Sequence, residues 1–109
     1  MAEKFDTEKP RTDLLPADAL LGAAEAFSYG ARKYAAWNYL SGDGLRWGQF
    51  LGAALRHLFA WSLGEETDKE SGLSHLDHAA ASILMLSASV RRGVGTDDRW
   101  RRTKDVTPR

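Results

Sequence analysis

The stretch RWGQFLGAALRHLFAWSLGEETDKESGLSHLDHAAASILMLSASV, residues 46–90, holds two helical patterns separated by a short polar interval. In the first, Leu51, Leu55, Leu58 and Ser62 form one edge of an apolar face, and Phe50, Ala54, His57 and Trp61 form the adjacent edge. That spacing predicts a helix from about Arg46 to Leu63. In the second, Leu76, Ala80, Ile83, Ser87 and Val90 repeat the spacing up to about Val90, and the small residues Ala79, Ala80, Ala81 and Ser82 permit close approach by another helix. Gly64 is placed to cap the first helix, Ser71 or Ser74 to open the second, and Gly93 and Gly95 to end it. The interval from Glu65 to Gly72 sets four carboxylates in six residues.

Upstream, Pro16 opens an earlier helix and Asp18 suits the positive end of its dipole. Leu20, Ala24, Phe27, Ala31 and Tyr34 make one continuous stripe, interrupted by the weak helix former Gly30. Residues 35–45 read as a connection, with Trp37, Asn38 and Tyr39 ahead of the turn-like Ser41-Gly42-Asp43-Gly44. Large aromatics in a loop cover the end of a core or wall a pocket. The expected organisation is a polar arm over residues 1–13, a helical domain over 14–92 in which Leu14 and Leu15 pack locally, and a basic tail over 93–109 anchored only by Trp100 and Val106. Three amphipathic helices make a thin core for a chain of 109 residues with four tryptophans, three tyrosines and four phenylalanines. The fold class is therefore all-α, a small bundle of three main helices whose core is completed either by the arm and tail packing over it or, the favoured expectation, by oligomerisation to a dimer or tetramer.

Composition excludes several chemistries. With no cysteine, disulfides, thiolate nucleophiles and Cys-ligated zinc or iron–sulfur sites are ruled out. No apolar run approaches the roughly 20 residues of a membrane span. Glu3, Asp6 and Glu8 occupy positions where a signal peptide needs basic and apolar residues, so a cytoplasmic location and no membrane partner are expected. The net charge of zero is unevenly spread: residues 1–90 carry 8 Lys/Arg against 12 Asp/Glu, and residues 91–109 carry 7 against 3. The basic run Arg99, Arg101, Arg102 and Lys104 beside Trp100 is one short patch without a reading motif, so nucleic acid is not an expected partner.

His57, His75 and His78 are the only histidines. His75 and His78, three residues apart, share a helix face. A short loop makes the two helices antiparallel neighbours, which brings all three imidazoles toward Asp68 and Glu70. Such a set suits Mn²⁺, Fe²⁺, Ni²⁺ or Zn²⁺, and suits Mg²⁺ less because that ion prefers oxygen. The other reading is structural: histidines near helix ends bond to carbonyls or carboxylates. Glu65, Glu66, Asp68 and Glu70 likewise read either as a cation-binding or general-base cluster or as a solvated loop. Glu25 interrupts an apolar stretch and is expected to point inward, where it needs a partner. Asp77 either orients an imidazole of another chain or meets water. Lys9, Arg11, Arg32, Lys33 and Arg56 are the anion-binding candidates, Arg32 and Lys33 also serving the helix dipole.

The strings KPRTDLLP at 9–16, FSYGARKYAAWN at 27–38 and LRHLFAWSLGEETDKESGLSHLDHAA at 55–80 carry a resemblance. Together, over about residues 8 to 90, the chain resembles the phage and prophage dATP/dGTP diphosphohydrolase N-terminal domain, a distant relative of the MazG-like all-α nucleotide pyrophosphohydrolases. The resemblance implies a helical oligomer, in the host cytoplasm if phage-encoded, that splits a purine deoxynucleoside triphosphate into monophosphate and pyrophosphate. It also implies a divalent metal, Mn²⁺ or Mg²⁺ first, with Zn²⁺, Fe²⁺ or Ni²⁺ as alternatives. MazG-like enzymes hold their ions with paired glutamates on one helix and Glu-x-x-Asp on the next. This chain has Arg56-His57 and His75-Leu76-Asp77-His78 there instead. The family's blocks carry metal binding onto His57, Asp68, Glu70, His75 and His78, with His57, Asp68 and Glu70 as the catalytic set. Lys9, Arg11, Lys33 and Arg56 then meet phosphates, Tyr34, Trp37 or Tyr39 stacks on the base, and Asn38 also meets the substrate. Two non-enzymatic readings stand beside this one: sequestration of a nucleotide or nucleotide-derived signal, and a helical protein-interaction module with structural histidines.

Overall fold

Pro16 is the N-cap of the first helix, α1 (Ala17–Lys33), and Asp18 Oδ1 accepts from the Ala19 amide within its first turn. Two further helices follow, α2 (Trp47–Ser62) and α3 (His75–Arg92), with 3₁₀ turns at Thr12–Leu14 and Asn38–Leu40. The computed structural model describes residues 8–101. The first seven residues of the arm, and Arg102, Lys104 and Val106 of the basic tail, lie outside the described residues. The three expected helices form close to the predicted places, and the fold of the described residues is an all-α bundle. Ser74, rather than Ser71, caps α3 by accepting from the Leu76 amide at 3.0 Å. Gly93 ends α3 with a φ of 65°, a left-handed conformation that costs glycine little.

α3 lies in the middle. It packs along α2 and against α1, while α1 and α2 have little direct contact. The outer helices therefore splay, leaving a cleft whose floor is α3.

The faces that meet are not the stripes of large apolar residues. α1 turns Ala23 and Ala26 inward, α2 turns Phe50 and Ala54, and α3 turns His75, Ala79 and Ala81. Gly22 on α1 lies directly over the Asp77 carboxylate of α3, where any Cβ would collide with it. Small residues let backbones approach closely, and that geometry decides the inner faces. Leu20, Leu51, Leu55, Leu58, Leu76, Ile83 and Val90, expected to line the helices' buried stripes, are exposed instead. Leu14 and Leu15 are also exposed, and Glu25 points to solvent, so its expected inward position is corrected. Phe50 is the largest aliphatic or aromatic anchor on the inner face of α2, 5 % exposed and edge-on to Tyr39. Burial of such a side chain contributes roughly 1.5–3 kcal/mol.

The chain after α3 returns to the start of α2. The Trp47 amide donates to the Thr96 carbonyl at 2.9 Å, and the Thr96 amide to the Leu45 carbonyl at 3.2 Å. Arg46, the N-cap residue of α2, offers no side-chain cap. Asp98 does so from far along the chain, accepting from the Gly48 amide at 2.8 Å. Trp100, expected as the anchor, is 85 % exposed. The tail is held by Thr96 and Asp98.

Candidate functional site

The loop from Glu65 to Ser74 is knitted by its own hydrogen bonds. The Asp68 amide donates to the Leu73 carbonyl at 2.8 Å, the Gly72 amide to the Asp68 carbonyl at 2.7 Å, and the His75 amide to the Glu66 carbonyl at 3.0 Å. Asp68 Oδ2 accepts from the Ser71 amide at 2.9 Å, the turn an aspartate makes with a residue three further on. A loop closed this way presents fixed side chains.

It presents them to α2 and α3. His57, on α2, and His75, in the first turn of α3, bring their Nδ1 atoms to 2.8 Å. His78, one turn on, stacks its ring on His57 with centroids 4.6 Å apart and planes at 11°. His78 Nε2 lies 2.6 Å from Ser71 Oγ, which ties it to the loop. His57, Asp68 and His75 each offer a ligand atom, and these atoms lie within 4.8 Å of one another. Two imidazoles and a carboxylate are donors that first-row divalent cations accept. His75 is buried at 4 % exposure, and the other two are half-buried.

Charge on these groups follows from their surroundings. Burial pushes the His57 pKa down, and the neighbouring His78 and His75 add to the effect. The ring therefore stays neutral to lower pH than a free imidazole, and neutral imidazole is the ligating form. Burial opposes ionisation of Asp68, but the Ser71 backbone and hydroxyl together with His78 and His57 outweigh it. Its carboxyl is held below the usual range and is charged at neutral pH.

Glu70 is placed elsewhere. It accepts from Lys33 Nζ at 2.6 Å and from the Tyr29 hydroxyl, so it fastens the loop to α1 instead of joining the cluster of His57, Asp68 and His75. Lys33 first and Tyr29 second hold its carboxyl low, and Glu70 in turn raises both partners' pKa values.

These groups border a cleft of about 400 Å³ between α1 and α2, lined by Tyr29, Lys33, Arg56, His57, Asp68 and His78 and floored by Ala81 and Ser82. Arg56 lies over Gly52 and has no acidic partner among the described residues. Through Gly30, Tyr34 and Met85 the cleft adjoins a smaller apolar pocket of about 170 Å³, walled by Phe27, Trp37, Tyr39 and Phe50 with Asn38 at its edge. Tyr34 and Trp37 are largely exposed at this pocket. Trp37 has a φ of 65°, costly for a bulky residue, and its carbonyl is held by the Leu40 amide and the Ser41 hydroxyl, each at 3.0 Å.

Of the residues singled out from the sequence, the structure gathers His57, Asp68, His75 and His78 at one end of the cleft. It places Lys33, Glu70 and Arg56 along it, and Tyr34, Trp37 and Asn38 at the adjoining pocket. Lys9 and Arg11 line neither; Arg11 is bonded to Asp13 at 2.8 Å. Arg32 is exposed at the end of α1, and Asp77 packs on Gly22 of its own chain. Tyr29 was missed, although its position four residues before Lys33 puts both on one face of α1. Ser71, expected as a candidate cap for α3, is instead the link between Asp68 and His78.

Fold and site together define a small all-α domain with a histidine–carboxylate cluster at one end of an open cleft. The family model for dATP/dGTP diphosphohydrolase, N-terminal, matches residues 1–99, and the chain belongs to that family. No curated protein and no solved structure matches the chain.

Proposed function

We propose that this domain hydrolyses purine deoxynucleoside triphosphates to monophosphate and pyrophosphate, with a divalent cation held by His57, Asp68 and His75 and with His78 beside them. The observation that carries the reading is the continuity of three unlike surfaces: a cation-ligating cluster, a cleft bearing Lys33 and Arg56, and an aromatic pocket. A triphosphate laid along them meets each with the matching part. The family's name supplies the purine and the deoxyribose. The donor set favours Mn²⁺, Zn²⁺, Fe²⁺ or Ni²⁺ over Mg²⁺.

In the reaction a water oxygen bonds to the α-phosphorus, the bond from that phosphorus to the α,β-bridging oxygen breaks, and pyrophosphate leaves while water's proton is released. A divalent cation supplies Lewis-acid polarisation at the phosphoryl oxygens. The chain's own contribution is positional. Arg56 offers a planar fork of donors to the phosphates and Lys33 a point charge. Lys33 is paired with Glu70, so phosphate binding there exchanges one anion for another. Tyr34 and Trp37 stack on the base, and the Asn38 amide offers it a donor and an acceptor. His57, neutral at working pH, is able to ligate or to accept a proton. Lys9 and Arg11 have no part in this arrangement.

The exposed stripes complete the proposal. Leu51, Leu55 and Leu58 on α2, and Leu76, Ile83 and Val90 on α3, are exposed, and in this reading a second copy of the chain covers them.

The test is incubation of the protein with Mn²⁺ and a panel of nucleoside triphosphates, followed by separation of the products. Monophosphate and pyrophosphate from dATP or dGTP, abolished by a chelator, are expected. Tight binding with every nucleotide returned intact defeats the enzymatic reading and leaves sequestration.

A further inference from the structure

Glu65 takes no part in the cluster of His57, Asp68 and His75, yet it touches it. Its Oε1 lies 2.9 Å from His75 Nε2, on the side of the ring away from His57. The imidazole between them is buried at 4 % exposure, so its two nitrogens have defined partners. A carboxylate only accepts hydrogen bonds. His75 Nε2 must therefore carry the proton, and in the neutral ring Nδ1 is left with a free lone pair. His57 Nδ1, 2.8 Å away, is then the donor to His75 Nδ1. In the metal-free chain one acidic side chain thereby sets the tautomers of both histidines; a cation then replaces the His57 proton at His75 Nδ1, and His57 ligates through Nδ1 once its own proton moves to Nε2.

We propose that Glu65 is a positioning residue: its carboxylate locks His75 in the tautomer whose Nδ1 lone pair faces His57 and Asp68. The inference rests on the cation site proposed above. A ligating imidazole whose other nitrogen donates to a carboxylate is oriented and made more basic, and losing that carboxylate costs a metal site about 10- to 100-fold in affinity. The backbone fixes where Glu65 starts, because its amide donates to the Ala60 carbonyl at 3.0 Å as α2 ends. Glu66, its neighbour, is exposed, and only its carbonyl reaches His75, through the amide. The acidic loop thus divides its labour: Asp68 faces the cluster, Glu65 braces it from behind and Glu70 fastens the loop to α1.

The experiment reads the tautomers directly, by long-range proton–nitrogen NMR of the metal-free full chain at a pH where the rings are neutral, beside Mn²⁺ titrations. In the wild type, His75 is expected as the Nε2–H form and His57 as the Nδ1–H form; an Nδ1–H form of His75 overturns the proposal and needs no variant. In Glu65→Leu, His75 is expected to populate both tautomers and Mn²⁺ affinity to fall about 10- to 100-fold. Glu65→Gln keeps the volume and an acceptor oxygen, so the Nε2–H form is expected to persist, with affinity between those of the wild type and the leucine variant. A folded Glu65→Leu with unchanged tautomer and unchanged affinity also overturns the proposal, showing the contact to be packing alone. A wild type with the expected tautomer that takes up no Mn²⁺ defeats the cation site while leaving Glu65's hold on His75 standing.

Discussion

The two connections that join the helices solve the same problem with different physics. The loop between α2 and α3 is polar, and its side chains are committed one by one: Glu65 to His75, Asp68 and Ser71 to each other, Ser71 to His78, Glu70 to Tyr29 and Lys33. The connection between α1 and α2 is aromatic. Tyr39 contacts Phe27, Trp37 and Phe50 through ring faces and edges, and the Ser41 hydroxyl donates to the Trp37 carbonyl within it. Directional bonds fix atoms to within tenths of an ångström, as ligation requires. Apolar contact fixes a shape and tolerates adjustment, as a stacking surface requires. Disturbing the first connection should change proton- and cation-dependent properties, and disturbing the second should change base binding without a pH signature.

The largest effect is expected from His57→Gln. It removes one of the three donor atoms of the proposed cation site and should weaken Mn²⁺ binding by about two orders of magnitude or more, read by titration. It should also flatten the acid limb of the stability profile. The folded-state pKa of His57 lies below its ordinary value of 6.5, so the unfolded chain takes the proton first. The wild type is thus penalised as pH falls below about 6.5, and its full stability is present above that value. Denaturant titrations between pH 5 and 8 should show a shallower decline in the variant. An identical slope would place the acid sensitivity elsewhere.

Trp37→Gly reaches the other connection. Left-handed backbone costs a residue with a side chain roughly 1–2 kcal/mol, and glycine almost nothing. Removing the ring should therefore leave the thermal midpoint unchanged or higher, while the proposed base stacking, worth about 1–3 kcal/mol or about 5- to 150-fold in nucleotide affinity, should be lost. The loss should be equal at pH 6 and pH 8. A variant that binds nucleotides as the wild type does would remove Trp37 from the base site.

How much of this was legible follows the same division. Helix positions were readable because a period near 3.6 survives in any setting. The inner faces were not, since periodicity marks the stripe richest in large side chains, and here α1 and α2 meet α3 through Ala23, Ala26, Ala54, Ala79 and Ala81. The gathering of His57, Asp68 and His75 was readable from a short loop between antiparallel helices. The bond from Tyr29 to Glu70 joins residues 41 apart, and only the packing of α1 on α3 makes them neighbours. Glu65 stood in plain view among four carboxylates. Which of the four would face the cluster depended on loop hydrogen bonds that no spacing discloses.

The smallest effect, and the sharpest on the contrast, is expected from Asp98→Ala. The polar loop is tied by its own side chains to α3 and α1, whereas the end of the aromatic connection borrows its anchor from beyond α3. Without Asp98 the Gly48 amide at the start of α2 loses its acceptor and Arg46 its partner at 2.8 Å. The Gly48 amide first, and Arg46 with it, hold the Asp98 carboxyl below its usual pKa. Its stabilising contribution is thus present above the unfolded carboxylate value and is lost as pH falls through the lower folded one. The variant should show a slightly lower thermal midpoint at neutral pH and faster hydrogen exchange at the first amides of α2, with no change at the histidine cluster. Asp98→Asn keeps an acceptor and should recover most of the protection. If instead the alanine variant weakened Mn²⁺ uptake, the two connections would be coupled through α2, and the division between the polar loop and the aromatic connection would fail.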